Sequence, residues 1–156
     1  MILVLLGTSP YGFDRLACAM DDLAKQHGWD VFIQTGNTKY KPSHCRYEAF
    51  LPHEQIEKLV SECEVLVTQG GAGSIHEGLA CGRPVVAVPR LAFLNETKDQ
   101  QSELVQALEH AGRLIGVYNI ENLYECIQKS RTFNAHISEK HRITELIANY
   151  IDTIVR

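Results

Sequence analysis

Apolar runs and helix-periodic stretches alternate along the whole chain. Ile2 to Leu6 is an unbroken apolar run, the pattern of a strand covered on both faces. Phe13, Leu16, Ala17, Met20, Leu23 and Ala24 then recur at helical spacing, and Gly28 marks that helix's end. Val31–Gln34 predicts a second strand and Tyr47–Leu51 a short third one, separated by a polar, turn-rich stretch from Thr35 to Cys45. Pro52-His53-Glu54 opens a helix with Ile56, Leu59, Val60 and Cys63 on one face. Val65–Thr68 is the clearest interior strand, and Gln69-Gly70-Gly71-Ala72-Gly73 follows it directly. A short helix from Ser74 to Cys81 stops at Gly82-Arg83-Pro84, ahead of a strand at Val85–Val88. After a loop from Pro89 to Thr97, Leu104, Val105, Leu108 and Ala111 mark another helix, and Leu114–Val117 a last strand. Two helices, over 120–130 and 136–155, close the chain. The second carries Ile143, Leu146, Ile147, Tyr150, Ile151 and Ile154.

Such alternation predicts one α/β domain: a parallel sheet with helices on both faces and right-handed crossovers. Its ligand belongs beyond the carboxyl ends of the strands, where the strand order switches. The 156 residues suffice for one core, and with 45% hydrophobic and 22% charged residues the chain is neither disordered nor collagen-like. A net charge of −4 argues against nucleic acid as the main partner. Nothing approaches the roughly 20 apolar residues of a membrane span. The N-terminus lacks the basic start of a signal peptide. Cys18, Cys45, Cys63, Cys81 and Cys126 are odd in number and lack CxxC spacing, which suits a reducing compartment and neither a disulfide framework nor a zinc site.

The glycines cluster where a ligand is expected. Gly7-Thr8-Ser9-Pro10-Tyr11-Gly12 follows the first strand and Gly70-Gly71-Ala72-Gly73-Ser74 the fourth, each ahead of a helix. Glycine lets backbone N–H groups approach a phosphate, and the helix N-terminus stabilises its charge. Ser74 and Thr8 add hydroxyls. A P-loop would need Lys-Ser/Thr after the second glycine, but Gly12 precedes Phe13-Asp14 and Gly78 precedes Leu79-Ala80. A dinucleotide fingerprint would need a third glycine where His76 stands. Glu77, one turn into its helix, is placed to accept from a ribose diol or, more simply, to complement the helix N-terminus. Asn95 to Gln101 is a cluster of amides and carboxylates suited to sugar hydroxyls, or equally a solvated helix start.

In order and spacing, Gly7-Thr8 with Phe13-Asp14-Arg15-Leu16, Gln34-Thr35-Gly36, Gly71 to Glu77, Gly82-Arg83-Pro84 and Asp99-Gln100-Gln101 resemble the C-terminal, donor-binding half of GT-B glycosyltransferases of the family 28 type. The resemblance covers roughly residues 1–118. It extends to MurG, to the cytosolic subunit of the split eukaryotic UDP-GlcNAc transferase and to PssE-type exopolysaccharide proteins. It implies a single UDP-sugar-binding, Rossmann-like domain over 1–156, whose C-terminal helix (136–156) is core or docks a partner. Gly7, Thr8, Ser9, Gly71, Ala72, Gly73 and Ser74 are then expected at the diphosphate, Glu77 at the ribose and Phe50-Leu51 at the uracil. Asp99, Gln100 and Gln101 are expected at the sugar. It further implies inverting transfer to a lipid-linked acceptor without a metal or other cofactor, and cytoplasmic placement. Membrane contact would come through a PssD-like, membrane-anchored partner that holds the acceptor.

Two departures stand out. Many relatives carry His where this chain has Gln69, and an Asp-Asn-His-Gln-like segment where it has Lys98-Asp99-Gln100-Gln101. The catalytic base is left unassigned, because in larger relatives it comes from the half this chain lacks. His53 and His76 are expected in structural or donor-contact roles. Arg83 and Arg90 are candidates for phosphate contact, Arg83 equally for shaping its turn. Lys39 and Lys41 read as a solvated loop ahead of a lipid contact. The alternative to a transferase subunit is a non-catalytic nucleotide-sugar-binding or regulatory module.

Overall fold

The computed structural model describes residues 1–98, 101–134 and 147–151. Among them are six strands, β1 (Ile2–Leu5), β2 (Val31–Gln34), β3 (Arg46–Glu48), β4 (Val65–Gln69), β5 (Val85–Val88) and β6 (Ile115–Gly116). They form one sheet in the order β3-β2-β1-β4-β5-β6, with every neighbouring pair parallel. The helices are α1 (Asp14–His27), α2 (His53–Glu62), α3 (Ala72–Ala80), α4 (Ser102–His110) and α5 (Leu123–Ser130). The expected Rossmann-like architecture is therefore present, and its order switches between β1 and β4.

Both faces of the sheet are covered, which is why β1, β2, β4 and β5 read as continuous apolar runs. Ile2, Val4, Ile33, Val67 and Val86 pack against α1 and α5, through Leu16, Met20, Leu123 and Ile127. Leu3, Leu5, Leu66, Val85 and Ala87 pack against Val60 of α2, Ile75 of α3 and Leu104 and Leu108 of α4. Gly78 lets α3 lie close to the sheet: a Cβ there would stand 2.6 Å from Leu66 Cδ2 and 2.7 Å from Val85 Cγ2.

Several boundaries differ from expectation, and the last strand is Ile115–Gly116 where Leu114–Val117 was expected. The third strand is Arg46–Glu48 and not Tyr47–Leu51. Its residues are all exposed, so its place is set by register against Phe32–Gln34 and not by burial. The helix after the second glycine loop starts at Ala72, two residues early, with Gly71 as its N-cap. The helix expected over 120–130 is split, a 3-10 turn at Ile120–Asn122 preceding α5. Of the last helix, residues 147–151 are described and helical, and Tyr150 packs against the α2 and α4 side of the core. Ile143, Leu146 and Ile154 lie outside the described residues. Among those residues no helix is long and apolar enough to cross a membrane.

The polar stretch after β2 is fastened to α1 by one buried carboxylate. Asp21 accepts from the backbone N–H of Ser43 (3.0 Å) and His44 (2.7 Å) and from the Tyr40 hydroxyl (2.9 Å). Burial alone would raise its pKa, but these donors outweigh that effect and hold it at about 2. Through Asp21, Tyr40 is pushed up to about 12. The clamped segment braces the first glycine loop: Thr38 Oγ1 accepts from Phe13 N–H (3.0 Å) and Asn37 Nδ2 donates to the Ser9 carbonyl (2.8 Å). Because the folded pKa lies below the unfolded one, this contribution is complete above about pH 4 and lost as pH falls toward 2. Asp21→Asn is expected to lose about 1–2 kcal/mol at neutral pH. Urea titrations from pH 7 to 2.5 check this, since the gap between the two proteins should close with acid.

Candidate functional site

Because all six strands are parallel, the loops after them gather at one edge of the sheet. Since β1 and β4 are neighbours, the two glycine loops face each other there. Between them lies a cleft of about 270 Å³ lined by Leu5, Gly7, Thr8, Gln34, Ile56, Gln69, Gly71, Gly73, Ser74 and Glu77. The N-terminal turn of α3 opens into it, so backbone N–H groups without intrahelical partners and the positive end of the helix dipole face the space. A Cβ on Gly73 would meet no atom within 4 Å. Glycine there leaves room in the cleft instead of avoiding a neighbour.

Gly7 sits in the left-handed region at φ 75° and is held by Gln34. The Gln34 carboxamide accepts from Gly7 N–H (3.2 Å) and donates to Gly7 O (3.2 Å) and to Ala49 O (2.8 Å). That amide extends the β1–β2 pairing by one peptide-like unit and ties in the segment after β3. On the other flank of β1, Gln69 ends β4. Sequence reasoning did not single out Gln34 as a site residue, and it noted Gln69 as the position where many relatives carry His. The available signal was a carboxamide ending an otherwise apolar interior strand at the ligand edge.

Arg90 lies beneath both loops and is 3% exposed. Its Nη1 donates to the carbonyls of Tyr11 (3.0 Å), Gly12 (3.0 Å) and Glu96 (2.8 Å), its Nη2 to Leu6 O (2.7 Å), and its Nε to Gln69 Oε1. The guanidinium also stacks 4.7 Å from the Phe13 ring centroid. Burial lowers its pKa and nearby Glu96 opposes that shift. The expectation that Arg90 meets phosphate is corrected: its donors are spent on main-chain carbonyls and on Gln69. Arg83 Nη1 donates to the Cys63 carbonyl at the end of α2 (3.2 Å).

Glu77 stands on the cleft wall with its side chain 28% exposed. His53 Nδ1 lies 3.6 Å from its Oε1, while His53 Nε2 lies 3.3 Å from Glu57 Oε1. His53 is thus a rim residue that bears on Glu77. Thr8, Gly7, Gly71, Gly73 and Ser74 line the cleft together with Glu77. Ser9 does not line it. Its hydroxyl accepts from Tyr11 N–H (3.3 Å) within the loop. Ala72 packs into the core, Phe50 is 56% exposed on the loop after β3, and Leu51 also lies outside the lining. Gln101 caps α4, and its Oε1 accepts from Arg90 N–H at 3.4 Å. Asp99 and Gln100 lie outside the described residues.

A second cleft, of about 500 Å³, borders the later half of the first loop and includes Tyr11, Asp14, Arg15, Lys39, Leu94 and Glu96. It is larger, yet much of its charge is already engaged. Arg15 grips Glu96 (2.8 and 2.9 Å) and the Pro89 carbonyl (3.1 Å), and Asp14 accepts from Tyr40 N–H. The smaller cleft is the one that combines glycine backbones with a helix N-terminus, a pairing that favours an anion.

Comparison with curated proteins gives no match. Solved structures resemble the chain in fold. The glycotransferase of kitacinnamycin aligns with a TM-score of 0.65 at 16% identity, over 94% of this chain and 37% of that one. MurG of Acinetobacter baumannii aligns with a TM-score of 0.57 at 15% identity, over 93% and 49%. The UDP-GlcNAc 2-epimerase from Neisseria meningitidis, bound to UDP-GlcNAc, aligns with a TM-score of 0.59 at 15% identity, over 99% and 44%. The chain spans less than half the length of each of these neighbours. The sequence itself, with its two glycine loops at the switch of a parallel sheet, matches the model of the glycosyltransferase family 28 C-terminal domain over residues 1–153, and the chain belongs to that family.

Proposed function

We propose that the chain is the donor-binding part of a UDP-sugar-dependent, inverting glycosyltransferase acting on a lipid-linked acceptor. A PssD-like, membrane-anchored subunit holds that acceptor and keeps this cytoplasmic chain at the membrane. The observation that carries the reading is the convergence of Gly7, Thr8, Gly71, Gly73, Ser74 and Glu77 on one cleft at the switch point. Loop N–H groups and the α3 N-terminus take up the negative charge that develops on the UDP leaving group, so the reaction proceeds without a divalent metal. Glu77 accepts from the ribose hydroxyls. Asp99, Gln100 and Gln101 contact the sugar, and the backbone near Phe50-Leu51 borders the uracil.

The test is co-expression with such a subunit, followed by transfer from UDP-sugars to a polyprenyl-linked acceptor. Tight UDP binding without turnover on any donor would select the non-catalytic binding module instead. Glu77→Ala is expected to weaken UDP about tenfold or more, the range for losing a hydrogen bond to a charged acceptor. Calorimetric titration checks this, and unchanged affinity would remove Glu77 from the ribose.

A further inference from the structure

The segment between β5 and α4 carries its apolar residues on the outside. Phe93 is 79% exposed and Leu94 46%, so neither fastens the segment to the core. From Leu91 to Lys98 the one buried residue is a carboxylate, Glu96. Arg15, in the first turn of α1, meets that carboxylate twice, Nε to Oε1 at 2.8 Å and Nη2 to Oε2 at 2.9 Å. Its Nη2 also donates to Pro89 O at 3.1 Å, and Glu96 Oε2 accepts from Leu91 N–H at 2.9 Å. One guanidinium on α1 thereby holds the segment at its start and near its middle. At the far end Gln101 caps α4 and lies against the second glycine loop, where a Cβ on Gly70 would stand 2.9 Å from the Gln101 Cβ.

We propose that Arg15 is a positioning residue for the donor sugar, acting through Glu96 to set the segment that ends at Gln101. The inference rests on the reading of Gln101 as a sugar contact. A buried ion pair adds little net stability, because the cost of taking both charges out of water offsets their attraction. Phe93 or Leu94 turned inward would fasten the segment as firmly. What the pair supplies is direction, since a planar fork on a carboxylate fixes how the two side chains meet. Arg90 holds the same residue by its main-chain carbonyl at 2.8 Å, so loss of the Arg15 grip redirects the segment without detaching it. Arg15 lies outside the cleft between the glycine loops, and its effect therefore falls on the sugar and not on the nucleotide.

Calorimetric titration of UDP, UDP-glucose, UDP-galactose and UDP-GlcNAc on the wild-type chain, Arg15→Lys and Glu96→Gln tests the assignment. Lysine keeps a charge beside Glu96 but lacks the fork, and glutamine keeps an acceptor for Leu91 N–H, so both variants should fold. UDP affinity is expected within about twofold of wild type, while the best-bound UDP-sugar weakens about fivefold in each, the scale of one misplaced hydrogen bond. In a double-mutant cycle, Arg15→Lys should cost UDP-sugar affinity when residue 101 is Gln and little when it is Ala. UDP-sugar affinities that follow UDP in both variants, whether unchanged or falling together, would overturn the proposal. So would additive effects of Arg15→Lys and Gln101→Ala. Unchanged UDP-sugar binding by Gln101→Ala removes the sugar contact on which the inference rests, whereas a loss confined to Gln101→Ala removes only the role of Arg15.

Discussion

Arg90→Met is expected to lower stability by about 3–5 kcal/mol and the melting temperature by about 10 °C or more. Methionine replaces the apolar stem, so the loss isolates the guanidinium, its stacking on Phe13 included. In the native chain that group joins the β1–α1 loop, through Leu6, Tyr11 and Gly12, to the β5–α4 loop, through Glu96, and both to Gln69 at the end of β4. Removing it strands several buried carbonyls at once, each worth about 1–3 kcal/mol when unsatisfied, although those nearest the clefts regain water. Glu96 does not add to the loss. Its carboxylate keeps Arg15 and the Leu91 N–H at 2.9 Å. Lysine preserves the charge but has a compact ammonium with three donors in place of a planar fork, so Arg90→Lys should recover only part of the difference. Thermal melts and urea titrations of the three proteins check the order. A Met variant that melts within 2 °C of wild type would show that the loops do not depend on this group.

The interior strands were readable from sequence because they are buried on both faces. Val31–Gln34 and Val85–Val88 fall where the apolar runs put them. β3 was displaced for the opposite reason. Its three residues are exposed and are placed by pairing with Phe32, Ile33 and Gln34, a register that no local pattern encodes. The site divides in the same way. Glycine loops after the first and fourth strands were visible as composition, whereas the strand order that makes those strands neighbours is set by the whole sheet. Arg90 was misjudged because a cation near a phosphate loop suggests a phosphate contact. Its burial arises only once two loops separated by more than seventy residues close over it, at |i−j| of 78 to 84 for the bonds to Gly12, Tyr11 and Leu6. The role of Gln34 was hidden for a related reason. It is a polar strand end in sequence, and only the position of β2 beside β1 turns it toward Gly7.

Gly36→Ala is expected to cost about 2–5 kcal/mol and to weaken UDP by more than about tenfold, although residue 36 does not line the cleft. Two separate penalties combine at this position. At φ 55° the backbone is left-handed, which costs an alanine about 1–2 kcal/mol. In addition, its Cβ would collide with the carbonyl oxygen of Gly7, and main chain on both sides leaves no flexible side chain to yield. Gly36 is also held from behind, its N–H donating to Ala49 O at 2.8 Å, so the strain passes to Gly7. That peptide is the one Gln34 fixes at the floor of the cleft, and moving it misplaces the first phosphate loop against the second. Gly28 separates the two penalties. It too is left-handed, at φ 64°, but a Cβ there meets nothing within 4 Å. Gly28→Ala should therefore show the conformational cost alone, with UDP affinity unchanged. Urea titration and UDP calorimetry on the pair decide the matter: if Gly36→Ala matches Gly28→Ala in both measurements, the close approach of Gly36 to Gly7 is not what sets the loop.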